Sequence, residues 1–262
     1  MTAATMTILA SALLGQPIKA DERLEFMKTK AAEYRFERDG DPKARLILGD
    51  EPAFRLGKQG ADTIEEGAIF LWKRGDGRPE AAVQIFFIKD SYVPDGLWIH
   101  EFISLSESPF SGVHQGTPSW SPRRPGLEYR PLPAVTRPAA TAAQRGRQMR
   151  ALAREFQVSD KFKEKTWDDL RLLPTPVARY GKEGSETLDG ALFAFAMGTD
   201  PEAFLFLEAR AGKDGPEWAY ALAPMTCFDL KGRYKGREVW DLPFRRESKD
   251  PALPYFSRTE QP

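Results

Sequence analysis

Trp98, Ile99, His100, Glu101 and Phe102 set an imidazole beside a carboxylate inside a short apolar run. An adjacent imidazole and carboxylate are raw material for general acid–base chemistry. Strand alternation sends Trp98, His100 and Phe102 to one face, and Ile99, Glu101 and Ile103 to the other. His100 and Glu101 therefore cannot act as a simple dyad. A buried Glu101 would have a raised pKa and could serve alone as an acid or a base. The plainer reading makes both residues half-exposed or hydrogen-bonded parts of the framework.

Arg55 and Arg179 sit in similar surroundings, as do Glu80 and Glu202. Two related arginines could grip an anionic ligand between them. The alternative is an ion pair of Arg55 with Glu80 and of Arg179 with Glu202 on neighbouring strands. The glycines of GKQG (57–60) and GKEG (181–184) match neither the P-loop nor the dinucleotide fingerprint, and predict solvated turns. Arg147, Arg150 and Arg154 form a basic helix face without the interleaved aromatics that single-strand binding needs. Cys227 reads as a small core residue. One cysteine excludes an intrachain disulfide, and with only His100 and His114 as imidazoles a structural zinc site is not expected. The sequence assigns no catalytic residue, cofactor or metal; His100, Glu101, Arg55 and Arg179 are the candidates.

The elements that position these residues are written nearly twice. Residues 52–81 and 176–203 match at thirteen positions, with one-residue gaps before Gly67 and in the following turn. The matches include Pro52/Pro176, Arg55/Arg179, Gly67/Gly190, Phe70/Phe193 and Pro79/Pro201. Such internal similarity predicts a pseudo-symmetric architecture. The spacing of Leu24, Met27, Ala31 and Tyr34 predicts a helix over 22–34, capped by Asp21. A second helix opens with Thr141 and Gln144 at capping-box spacing, and buries Met149, Leu152, Ala153 and Phe156. Strands are expected over 44–48, 67–73, 80–88 and around Trp98, and again over 169–173, 190–197, 202–209 and around Trp218. Gly, Asp and Pro in RGDGRP and GTDP supply hairpin turns. The fold class is thus α+β, with two pseudo-equivalent halves over 21–105 and 144–242. Each is one helix and about four antiparallel strands.

Residues 106–143 carry seven prolines and predict an extended crossover, pinned by Trp120, Tyr129 and Leu132. Residues 243–262 predict a polar tail with a frayed end. The apolar run 7–15 is shorter than the roughly 20 residues of a membrane span but suits a signal-peptide core, with Ala20 as the cleavage residue. Residues 1–20 are accordingly expected to be a leader of an exported protein, or otherwise an extension of a cytoplasmic one. Net charge is zero across 262 residues, so no global field draws the chain to nucleic acid.

The motifs GAIFLWKRGDGRPEA, HEFISLS, RQMRALAREF and DGALFAFAMGTDPE resemble an uncharacterised bacterial family of exported α+β proteins. The resemblance spans roughly residues 24–240, implies one folded unit and carries no activity over. The expected function is a non-enzymatic binding or interaction protein. A small apolar ligand or a protein partner would occupy an apolar groove on a curved sheet. The alternative is a hydrolase-like enzyme using Glu101 and His100.

Overall fold

The computed structural model describes residues 20–38, 44–58, 64–133, 135–162, 166–245 and 248–262. The expected leader or extension over 1–19 lies outside the described residues. Among the described residues no helix is long and apolar enough to cross a membrane. The fold is α+β and mostly antiparallel strand. The first stretch runs α1 (Ala20–Ala32), β1 (Tyr34–Arg38), β2 (Ile47–Leu48), β3 (Phe54–Gly57), β4 (Ile64–Lys73), β5 (Pro79–Ile88) and β6 (Leu97–Ser104). Short strands β7 (Phe110–His114), β8 (Thr117–Pro118) and β9 (Arg130–Pro131) follow. Next come α2 (Ala142–Ala153), β10 (Phe156–Lys161), β11 (Asp168–Asp169), β12 (Arg171–Leu172) and β13 (Ala178–Tyr180). The chain closes with β14 (Thr187–Met197), β15 (Asp200–Arg210), β16 (Glu217–Pro224), β17 (Asp229–Tyr234), β18 (Arg237–Leu242) and β19 (Tyr255–Glu260).

Two six-stranded sheets carry the core. One has the order β19-β6-β5-β4-β2, with β3 also on β4; the other has β12-β14-β15-β16-β9, with β13 also on β14. They pack face to face, since Ile69, Leu71, Ala82 and Ile103 of the first share one apolar cluster with Leu192, Ala194, Phe204 and Ala221 of the second. The outer face of the first sheet is covered by α1 and the small sheet β1-β7-β8, through Met27, Phe36, Phe110 and Trp120. That of the second is covered by α2 and the sheet β11-β10-β17-β18, through Met149, Phe156, Leu230 and Tyr234. Both faces of β4, β5, β14 and β15 are therefore dry. This explains why they read as continuous apolar runs rather than as alternation.

Local chemistry accounts for the ends. Thr141 caps α2, its hydroxyl accepting from the Gln144 backbone N–H at 3.3 Å. Tyr34 and Phe156, expected on the helices, open the strands that follow them and are buried there. The run 44–48 makes strand only at Ile47–Leu48, and 169–173 splits between β11 and β12. The crossover and tail are more ordered than proline content implies. β7, β8 and β9 are built from 106–143, because a short edge strand needs few donors and tolerates Pro118 and Pro131. The expected frayed end is instead β19, antiparallel to β6, with Tyr255 and Ser257 turned inward. Gly126 allows the crossover to touch β6: a Cβ there would lie 1.9 Å from the Ser104 carbonyl oxygen.

Phe156 is enclosed between α2 and the second sheet. Phe156→Ala is expected to cost about 3–5 kcal/mol in urea unfolding. A loss below about 1 kcal/mol would place this helix and strand outside the cooperative core.

Candidate functional site

β6 sends its two candidates to opposite faces. His100 lies under α1 and β1, fully buried, with its Nδ1 hydrogen-bonded to the Tyr34 hydroxyl at 2.8 Å. Burial first, then the Arg258 charge, push its pKa down to about 3, so the imidazole is neutral. Glu101 faces the other sheet, and its Oε1 accepts from the Tyr255 hydroxyl at 2.7 Å. The structure therefore does not bring His100 and Glu101 together.

Arg55 and Arg179 do not reach Glu80 and Glu202. Arg55 donates to Glu66 at 2.6 Å, and Arg179 donates to Asp189 at 2.6 Å. A helix arginine completes each set: Arg23 Nε lies 3.4 Å from Glu66, and Arg145 Nε 3.0 Å from Asp189. Each acid precedes the matched glycine, Gly67 or Gly190. A one-residue gap placed directly before Gly67 sets Glu65, rather than Glu66, against Asp189 and hides this correspondence. Arg23 and Arg145 stand four residues before Met27 and Met149, which is the signal that could have found them. Each set ties a helix to the sheet beneath it, and neither arginine is a free anion grip.

Two polar clusters interrupt the layer between the sheets. At one end Arg78, 1% exposed, donates to Glu80 at 2.6 Å and across the layer to Glu208 at 3.0 Å. Glu208 also accepts from Tyr180 at 2.7 Å, Tyr129 at 2.5 Å and Arg210 at 2.7 Å. Gly190 makes room for the Tyr180 ring, which a Cβ there would meet at 2.4 Å. Burial would raise the Glu208 pKa, but Arg78, the Tyr129 hydroxyl and Arg210 together hold it below the usual range.

The other end is acid-rich. Gln84 donates to Asp200 at 2.9 Å across the layer. Glu202 is buried, and desolvation, with Asp200, Asp160 and Glu101 as neighbours, drives its pKa well up. Burial, then the Asp168 charge, raises Asp160 to about 6. Burial raises Glu101 to about 7, with Tyr255 opposing and Asp200 adding to the shift. Among the described residues no three His, Cys, Asp or Glu side chains are grouped to hold a metal ion.

Beside this acidic end opens a cleft of about 660 Å³. Its apolar walls include Ile103, Leu222, Trp240, Leu242, Phe244 and Leu253. Ser104, Arg124, Arg245 and Tyr255 are its polar lining. Ser104 anchors the rim, since its backbone N–H donates to the Pro254 carbonyl at 2.8 Å while Gly126 packs on its own carbonyl. The Arg245 backbone is fixed by a 2.9 Å hydrogen bond to the Cys227 carbonyl, and its guanidinium lies 5.0 Å over the Tyr255 ring. The three guanidinium nitrogens and the Ser104 hydroxyl are buried without a hydrogen-bond partner. Sequence reasoning missed both residues, because an absent partner leaves no trace in a motif. Compared with family models, curated proteins and solved structures, the chain matches none.

The raised Glu101 pKa has a defined sign. Against an ordinary value of 4.5, a folded value of about 7 means that its contribution to stability is complete below pH 4.5 and is lost as pH rises through 7. His100 runs the other way, losing stability as pH falls from 6.5 through about 3. Comparing Glu101→Gln with the parent chain isolates the glutamate. The variant is expected to match the parent near pH 4 and to exceed it by roughly 3 kcal/mol at pH 8 in denaturant unfolding. Parallel stability curves would contradict this titration.

Proposed function

We propose that this chain is a non-enzymatic binding protein whose ligand occupies the cleft at the acidic end of the two packed sheets. The cleft itself carries the reading. Its volume of about 660 Å³ falls in the range of small-molecule sites, which combine apolar walls with a few convergent polar groups. Phe244, 40% exposed at its lip, extends the apolar surface outward.

The proposal includes an internal duplication. In one sheet β2 and β3 flank β4, followed by β5 and β6; in the other β12 and β13 flank β14, followed by β15 and β16. A helix and small sheet cover each, and the arginine sets on Glu66 and Asp189 correspond. In this reading the cleft forms where the two copies meet, at the ends of β6 and β16, and is walled by the crossover and the tail. Export is part of the proposal and rests on the apolar run 7–15.

A second reading is favoured by one observation. Glu101 titrates near neutrality and is hydrogen-bonded to Tyr255, which lines the cleft. A hydrolase-like reaction would use Glu101 as the acid or base, without His100.

The test is native mass spectrometry of the protein purified from its own host, paired with titration by the fluorophore 1-anilinonaphthalene-8-sulfonate. The binding reading expects a bound small molecule or one saturable fluorophore site, with energy transfer reduced in Trp240→Phe. No adduct and no saturable site would overturn it. Turnover of ester or glycoside substrates that disappears in Glu101→Gln would favour the enzyme instead.

A further inference from the structure

We propose that the cleft takes an amphipathic anion, a carboxylate or phosphate head on an apolar chain, with the head held by Arg245. This deepens the binding reading and rests on it. A buried guanidinium is costly unless its donors are used, and Arg245 offers five N–H donors without one acceptor. Ser104 reaches the cleft as the last residue of β6, where its backbone anchors the rim, and its side chain lies on the other face of that strand, with Ala81 and Phe102. Buried polar groups are normally paired, so a guanidinium orphaned at all three nitrogens beside a cavity points to an acceptor supplied from outside the chain. Arginines elsewhere on the two sheets are engaged: Arg78 and Arg210 by Glu208, and Arg145 and Arg179 by Asp189. Arg245 instead lies 5.0 Å over the Tyr255 ring, a contact that uses none of its N–H donors.

A planar guanidinium matches carboxylate and phosphate oxygens in a two-pronged contact. Arg124, on the crossover wall, adds a second positive charge at the cleft. The remaining walls, Leu222, Trp240, Leu242 and Leu253 among them, offer nothing to a polar body. The head is thereby assigned to the Arg245 side and the chain to the apolar walls.

Isothermal titration of the full chain with dodecanoate, dodecyl phosphate and dodecanol tests this. Both anions are expected to bind more tightly than the alcohol. Arg245→Met should weaken the anions by about ten- to a hundredfold and leave dodecanol unchanged, the scale of a charge-assisted hydrogen bond. Arg245→Lys, which keeps the charge, should retain part of the affinity and guards against a folding defect in Arg245→Met. Preference between the two anions identifies the head. Equal binding of alcohol and anions, insensitive to Arg245, would overturn the anion assignment while leaving the cleft as a binding site. Failure of all three ligands to bind the parent chain would overturn both.

Discussion

The Arg78–Glu208 ion pair is the constraint on which the arrangement of the two sheets depends. It joins residues 130 positions apart and runs across the layer between the sheets. Charges there are tolerable only if every donor and acceptor is matched, because desolvation otherwise outweighs Coulomb attraction. Several elements supply partners to Arg78 and Glu208 at once, while among the described residues Glu80 Oε2 has only the Arg38 charge 3.7 Å away. Tyr180 comes from β13, Tyr129 from the crossover, Arg210 from the end of β15 and Glu107 from the segment after β6. Arg210 also lies 3.7 Å over the Tyr129 ring. A shift of either sheet would unpair several buried groups together. The network thus fixes orientation, while Phe204, Phe206 and their apolar neighbours supply most of the attraction.

The opposite end of the same layer lacks that balance. Asp200 precedes Pro201 as Arg78 precedes Pro79. Near Asp200, Glu202 and Glu101 are carboxylates that burial keeps protonated to higher pH. Here the Gln84–Asp200 hydrogen bond, rather than an ion pair, crosses the layer, and the cleft with its unpaired Arg245 lies alongside.

The central hairpins were legible in the sequence because their strands are buried on both faces and end in Gly, Asp and Pro turns. GAIFLWK and GALFAFAM announce themselves that way. The helix faces were legible from Met27 and Met149, both fully buried. Strands β7, β9 and β19 were not, because they form by backbone pairing to an existing edge and need little apolar pattern of their own. The divergence of His100 and Glu101 followed from strand alternation alone. The acids that meet Arg55 and Arg179 did not, since the one-residue gap before Gly67 sets Glu65, rather than Glu66, against Asp189. The Glu208 network and the Arg245 site depend on contacts between distant segments, which local pattern does not encode.

The central claim is that the inter-sheet layer makes both sheets one cooperative body. Native-state hydrogen exchange across a urea series tests it most directly. The slowest amides of β5 and β15 are predicted to open with one free energy and one urea dependence, as parts of a single cooperative unit. Separate opening energies and separate urea slopes for the two strands would contradict the account.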